Sequence, residues 1–258
     1  MRILFIGDVT GKQGLMYVRE LLPNLRRHYA ADLVVANGEN SAVNGRGITE
    51  AAAEHLYDSG VDLITLGNHV WDQKEIVSLL SSDRRICRPA NLHPETPGQG
   101  YTVVQVGVQP VAVVSLIGRT FMNLSDCPFR TLDHIVDQLG PVTDHIFVDF
   151  HAEATSEKLA MGWYAAGRVS AVIGTHTHVQ TADERILPDG TAFLTDVGMT
   201  GPRDGILGVE RSTVIRRFID QMPARFSVAD GPRQLSAVLV TVAAGGRATQ
   251  IERIAIAE

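Results

Sequence analysis

Several apolar runs in this chain end in side chains that can bind metal ions. The candidate ligands follow five separate runs and are Asp8, Glu39, Asn68, His151 and the pair His176 and His178. Carboxylates, amide oxygens and imidazoles together suit hard to borderline divalent ions. Two such ions held about 3.5–4 Å apart can clamp the oxygens of a phosphoryl group. The residue types therefore predict metal-assisted hydrolysis of a phosphoester.

The runs before these residues have the length and composition of buried strands, and helical patterns lie between them. In residues 13–29 apolar side chains recur at spacings near three and four, which predicts a helix, and Pro23 is a position that can kink or divide it. Alternating strands and helices predict parallel pairing with right-handed crossovers. We predict further helices at residues 49–58 and 155–166, and strands at 3–6, 33–36, 61–66, 146–150, 169–173 and 191–194.

Two pairs of runs depart from this alternation. Residues 101–106 and 111–117 are separated by only four residues, which predicts a hairpin, and late strands are expected at 237–242 and 250–256. The predicted fold is α/β, with two mixed β-sheets packed face to face and helices outside. No long Pro/Gly/Ser linker divides the chain, so residues 1–258 are expected to form a single domain.

The predicted positions of the candidate ligands are more informative than their identities. Taken singly, Asp8 could cap a helix, Asn68 could occupy a tight turn, and His151 could be a hydrogen-bonded interior histidine. All of them, however, follow predicted strands, and loops at the carboxyl ends of strands converge on one edge of an α/β sheet. Capping and turn formation do not account for five such coincidences, so a shared site is the favoured interpretation.

Composition limits the classes of partner. The net charge is −6, from 23 basic and 29 acidic residues, and no basic run is present, so no extended nucleic-acid surface is expected. Cys87 and Cys127 lack paired spacing, which favours free thiols in a reducing compartment. No segment stays apolar for 18 residues, so we expect no membrane association and a cytoplasmic protein. Homo-oligomer formation is left open.

Longer motifs carry a resemblance to a known family. The chain resembles the YmdB-like branch of the calcineurin-like metallophosphoesterase superfamily nearly from end to end. In place of the aspartate-x-histidine motif usual in that superfamily it has Asp8-Val9-Thr10, and Glu39-Asn40 replaces the usual bridging aspartate; both are typical of the branch. The motifs that match are Gly7-Asp8-Val9, Asn37-Gly38-Glu39-Asn40, Gly67-Asn68-His69-Val70-Trp71, Arg88-Pro89-Ala90-Asn91, Asp149-Phe150-His151-Ala152-Glu153, residues 174–181 and residues 195–201.

The resemblance implies a four-layer fold and a two-ion site. One ion would be held by Asp8, Glu39, Asn40 and His178, and the second by Glu39, Asn68, His151 and His176, with Glu39 bridging. The ions are expected to be iron or manganese, with zinc also compatible. His69 follows a ligand without being one itself, so it is the expected proton donor to the leaving group.

The function implied is hydrolysis of small cyclic nucleotides, above all 2′,3′-cyclic nucleotides, by attack of a metal-bridging hydroxide. 3′,5′-Cyclic nucleotides stay open as substrates. The alternatives are a phosphomonoesterase, a nuclease acting on short RNA, and a metal-stabilised regulatory protein that binds a nucleotide or another protein without turnover.

Overall fold

The computed structural model describes all residues, 1–258. Six α-helices are present, α1 Gly11–His28, α2 Glu50–Asp58, α3 Ile76–Ser82, α4 Pro128–Leu139, α5 Thr155–Ala165 and α6 Arg211–Asp220. The fourteen strands are β1 Arg2–Ile6, β2 Asp8–Val9, β3 Leu33–Asn37, β4 Leu63–Thr65, β5 Ile86–Cys87, β6 Tyr101–Val106, β7 Gln109–Ile117, β8 Ile146–His151, β9 Ala171–Thr175, β10 Arg185–Leu187, β11 Thr191–Leu194, β12 Met199–Pro202, β13 Arg233–Val242 and β14 Ala248–Ala257.

The strands form two mixed sheets. The first, of eight strands, has the order β2-β12-β13-β1-β3-β4-β5, and β14 also pairs with β13. Its β1, β3, β4 and β5 are parallel, whereas β13 runs antiparallel to β1. The second, of six strands, has the order β10-β11-β9-β8-β7-β6, with a parallel centre and an antiparallel strand at each edge. The carboxyl ends of the parallel strands therefore form one edge in each sheet.

The structure has four layers, and a buried apolar cluster lies between each layer and the next. The central cluster joins the sheets, and in it the rings of Phe5 on β1 and Phe147 on β8 lie 5.2 Å apart. A second cluster packs α1, α2 and α3 on the outer face of the first sheet. A third packs α4 and α5 on the outer face of the second sheet. The prediction of two mixed sheets face to face with helices outside is confirmed.

Several local predictions differ from the structure in detail. Pro23 does not divide α1, which is continuous over 18 residues. The predicted strand at 169–173 begins at Ala171 and extends to Thr175, so it ends directly before His176. The predicted hairpin of β6 and β7 is present, and the late strands β13 and β14 also pair antiparallel. No helix is both long and apolar enough to span a bilayer.

Candidate metal centre

The candidate ligands meet where strand ends of the two sheets lie side by side. Asp8 and the residues after β3 and β4 come from the first sheet, and the residues at the ends of β8 and β9 come from the second. The apolar strands are buried on both faces, so their polar ends are fixed by the core rather than by the loops. The structure brings together all seven, which are Asp8, Glu39, Asn40, Asn68, His151, His176 and His178.

Four of these side chains meet around one atom, His151 Nε2. Glu39 Oε1 lies 3.0 Å from it, Asn68 Oδ1 2.9 Å and His176 Nδ1 3.0 Å. The ligand atoms of Glu39, His151 and His176 all lie within 4.8 Å of one another. Oxygen and nitrogen atoms of glutamate, asparagine and histidine side chains thus lie close enough together to bind one ion.

Asp8, Asn40 and His178 are the remaining candidate ligands. Asp8 Oδ1 is 3.9 Å from His178 Nε2. Asn40 Nδ2 is 3.2 Å from the same nitrogen and 3.4 Å from Glu39 Oε1. A rotation of the Asn40 amide by about 180° would present its oxygen at this position instead. Glu39 therefore contacts Asn40 as well as His151.

The electrostatics of the cluster reflect dense packing of ionisable groups. Burial raises the pKa of Asp8. Burial also opposes ionisation of Glu39, but the charge and hydrogen bond of His151 outweigh it and hold the pKa of Glu39 at about 2. Burial opposes protonation of His151, yet attraction from Glu39 raises its pKa to about 9. Burial lowers the pKa of His176 to about 3, and the charge of His151 acts in the same direction.

This donor set fits divalent cations. Asp8 Oδ1 is buried and has no hydrogen-bond partner, while His151 Nε2 faces three groups with at most one proton to share. An unpaired buried acceptor costs about 1–3 kcal/mol, and a cation held by the same atoms would remove that cost. Carboxylate, amide oxygen and imidazole ligands are also the mixture that manganese, iron and zinc accept.

Hydrogen bonds from outside the cluster orient two of the histidines. Glu153 Oε2 lies 3.0 Å from His176 Nε2, so a proton on Nε2 leaves Nδ1 free toward His151. The carbonyl of Leu207 lies 3.0 Å from His178 Nδ1, which leaves Nε2 free toward Asp8. Glu153 belongs to one of the motifs that match the family, and the structure places its carboxylate against His176.

The backbone between the two histidines is unusual. His176 and His178 have positive φ angles of 102° and 66°. Between them, Thr177 donates its N–H and its hydroxyl to Asp196 Oδ2, at 3.0 and 2.8 Å. Asp196 is fully buried and is paired with the buried Lys158 at 2.5 Å. Asp196 therefore holds the turn that carries the two histidines.

Gly67 permits the close approach of the ligands. A Cβ atom at this position would lie 2.4 Å from Glu39 Oε2 and 2.4 Å from His151 Cδ2. Both neighbours are buried, so neither can move aside into solvent. The glycine before Asn68 is therefore a packing requirement of the cluster.

His69 lies beside the cluster and outside it. Its backbone N–H donates to Glu39 Oε2 at 3.0 Å, and its ring Nδ1 lies 2.9 Å from Asp72 Oδ2. The same carboxylate oxygen accepts from Arg46 Nε at 2.8 Å. Nε2 of His69 is consequently the ring nitrogen left for another partner, and Asp72 links Arg46 to this histidine.

The four-layer fold and its mixed carboxylate, amide and imidazole cluster at the strand ends define a metallophosphoesterase-like protein. More narrowly, the chain belongs to the YmdB-like protein family, whose family model matches residues 4–254.

Relatives cover the chain almost completely. A 2′,3′-cyclic-nucleotide 2′-phosphodiesterase from Bacillus subtilis (strain 168) is 52% identical over 257 residues, which are 99% of this chain and 97% of the relative. A hypothetical protein from Thermus thermophilus is 45% identical, with a TM-score of 0.94 over 100% of both chains. A novel phosphatase from Mycoplasma pneumoniae is 35% identical, with a TM-score of 0.94 over 100% of this chain and 93% of that structure.

Proposed function

We propose that this protein is a metal-dependent phosphodiesterase that hydrolyses small cyclic nucleotides, with 2′,3′-cyclic nucleotides as the preferred class. The observation that carries the proposal is the convergence of carboxylate, amide and imidazole ligands from two sheets around Glu39 and His151. The substrate class is supported by the name of the B. subtilis relative, which is 52% identical across 99% of this chain.

The residues divide into two sets of ligands that share Glu39. Asp8, Glu39, Asn40 and His178 would hold one ion, and Glu39, Asn68, His151 and His176 the other, with iron or manganese the preferred metals and zinc compatible. Two divalent ions bound there would attract a phosphodiester, stabilise its equatorial oxygens and lower the pKa of water enough to supply a nucleophile at neutral pH.

The protein itself supplies the proton for the leaving oxygen. His69 lies beside the cluster, and Asp72 Oδ2, 2.9 Å from its Nδ1, orients the ring. With Nδ1–H donated to Asp72, Nε2 is the ring nitrogen left to carry the proton that a departing alkoxide needs. His69 is the proposed general acid, and Asp72 positions it.

The proposal extends to the state of the protein in the cell. The free thiols of Cys87 and Cys127 favour a reducing compartment, the cytoplasm. The central apolar cluster, shared by both sheets, favours a single domain spanning residues 1–258.

The decisive experiment combines metal analysis with product identification. Protein purified without chelators should contain close to two ions of iron or manganese and should open 2′,3′-cyclic AMP to a single product, faster than 3′,5′-cyclic AMP, p-nitrophenyl phosphate or a short RNA. Glu39→Gln, which weakens a shared ligand, should lose metal and turnover together.

Other outcomes would redirect the proposal. A preference for the monoester or the RNA would move it to a phosphomonoesterase or a nuclease. Metal-free protein, or metal-loaded protein inactive on all four substrates, would contradict it. Cells that function normally with Glu39→Gln, although turnover is lost in vitro, would favour the regulatory interpretation.

A further inference from the structure

A fully buried carboxylate, Asp149 on β8, lies below the cluster without entering it. Its Oδ2 accepts hydrogen bonds from Thr65 Oγ1 at 2.6 Å and from Asn37 Nδ2 at 3.0 Å. Its Oδ1 accepts from Thr175 Oγ1 at 2.7 Å. Thr65 and Asn37 belong to the first sheet, whereas Asp149 and Thr175 belong to the second, so one carboxylate joins the two sheets beneath the site.

Two of these partners, Thr175 and Asn37, also contact residues proposed as metal ligands. Thr175 Oγ1 lies 2.9 Å from His151 Nδ1. Asn37 Oδ1 accepts from the backbone N–H of Glu39 at 3.1 Å. Asp149 is therefore connected by one intervening side chain to His151 in the second sheet and by another to Glu39 in the first.

The number of available protons fixes the direction of these bonds. The single hydroxyl proton of Thr175 goes to Asp149, so the hydroxyl oxygen must accept from Nδ1–H of His151. That leaves His151 Nε2 as the ring nitrogen directed at Glu39, Asn68 and His176. Asn37 is fixed in the same way, because its amide donates on one side and accepts on the other.

We propose that Asp149 is the positioning residue of the metal centre, and that it acts through Thr175 to set the tautomer and orientation of His151 and through Asn37 to set the backbone of Glu39. This inference rests on the proposed metal-dependent function. It assigns to Asp149 the alignment of ligands from opposite sheets, which neither sheet could achieve alone.

A comparison of two threonines separates this role from ordinary stabilisation of a buried carboxylate. Thr65 and Thr175 are both fully buried, both end a strand, and both donate to Asp149 at nearly the same distance. Only Thr175 contacts a ligand histidine. Thr65→Val is thus a matched control for Thr175→Val.

The test measures Mn²⁺ affinity by titration calorimetry and the unfolding midpoint of each metal-free variant. We expect both valine variants to lower the midpoint similarly, whereas Thr175→Val alone weakens Mn²⁺ binding by about 10- to 100-fold, the usual effect of losing a partner of a ligand histidine. Thr175→Ser, which keeps the hydroxyl, should restore the affinity. Equal weakening by both valine variants, or wild-type affinity in Thr175→Val, would overturn the inference.

A measurement on the wild-type protein covers the case in which a valine variant does not fold. In the Zn²⁺-loaded protein, histidine ¹⁵N spectra should show His151 with its proton on Nδ1, and a proton on Nε2 would overturn the inference. Wild-type protein that binds neither Mn²⁺ nor Zn²⁺ would contradict the proposed function as well. Wild-type binding with no effect of Thr175→Val would contradict the inference alone.

Discussion

At the scale of single residues, His69 and its neighbour Asn68 have different roles in the proposal. Asn68 contacts His151 within the cluster, whereas the ring of His69 pairs with Asp72 outside it. We therefore expect His69→Ala to retain both ions and to lose about 10²–10⁴-fold in kcat, the usual contribution of a general acid. Steady-state kinetics with metal analysis of the same sample checks this. Full turnover in His69→Ala would remove the residue from the mechanism.

The prediction for Gly67 concerns steric packing and not catalytic chemistry. In Gly67→Ala the new methyl group would lie 2.4 Å from both Glu39 and His151, so these ligands must separate. We expect the variant to lose most of its bound metal. Gly140→Ala is the control, because its Cβ would meet only the Val136 carbonyl, at 3.4 Å. Metal content at the wild-type level in Gly67→Ala would contradict the packing argument.

The sequence predicts that the candidate ligands lie together, but it does not predict the hydrogen bonds of Asp149 beneath them. Asp8, Glu39 and His151 follow apolar runs, and strand ends in an α/β fold share an edge, so their proximity is predictable. Asp149 lies within an apolar run, and its bonds to Thr65 and Asn37 span 84 and 112 residues between two sheets. No local pattern encodes such contacts, because they depend on how the sheets are stacked.

At the scale of elements, the turn after β9 is the part of the site under backbone strain. Positive φ at a non-glycine residue costs of order 1 kcal/mol or more, and His176 and His178 both have it. The turn is held by Asp196, whose charge is balanced by the buried Lys158. The positions of His176 and His178 therefore depend on the ion pair of Asp196 and Lys158.

Asp196→Asn should consequently destabilise the protein strongly. It leaves the Lys158 ammonium buried without a countercharge, and removing one member of a buried pair costs about 3–5 kcal/mol. Asp133→Asn is the matched control, since its pair with Arg168 is partly exposed and is expected to contribute under about 1 kcal/mol. Urea unfolding of both variants measures the difference. Equal losses of unfolding free energy in the two variants would show that the buried ion pair contributes no more to stability than the partly exposed one.

Prediction of elements from the sequence finds the apolar strands and the helices α1, α2 and α5, but it misses α3, α4 and α6. The strands before the ligands are found because their apolar runs form the core. α6 is missed, since Val214 is its only buried residue and its apolar side chains Phe218 and Ile219 are exposed. Pro23 is exposed on α1 and leaves the buried face of that helix intact, so the helix is not divided there.

At the scale of the whole molecule, the cluster and the central core both join the two sheets. The cluster takes Asp8, Glu39 and Asn68 from the first sheet and His151 and His176 from the second. Within the core, Phe5 and Phe147 pack across the same interface. Any ion bound by residues of both sheets therefore stabilises the arrangement of the sheets as well as the local loops.

Metal binding should accordingly raise the stability of the entire protein in one transition. At a metal concentration about 100 times Kd the gain is about 2.7 kcal/mol, which corresponds to about 5–10 °C in Tm for a protein of this size. Calorimetry with Mn²⁺ and with EDTA measures it. His178→Ala, which removes a ligand that is partly exposed, should show a smaller increment. Two separate transitions, of which only one responds to Mn²⁺, would mean that the sheets unfold independently and that the shared core does not make them one cooperative unit.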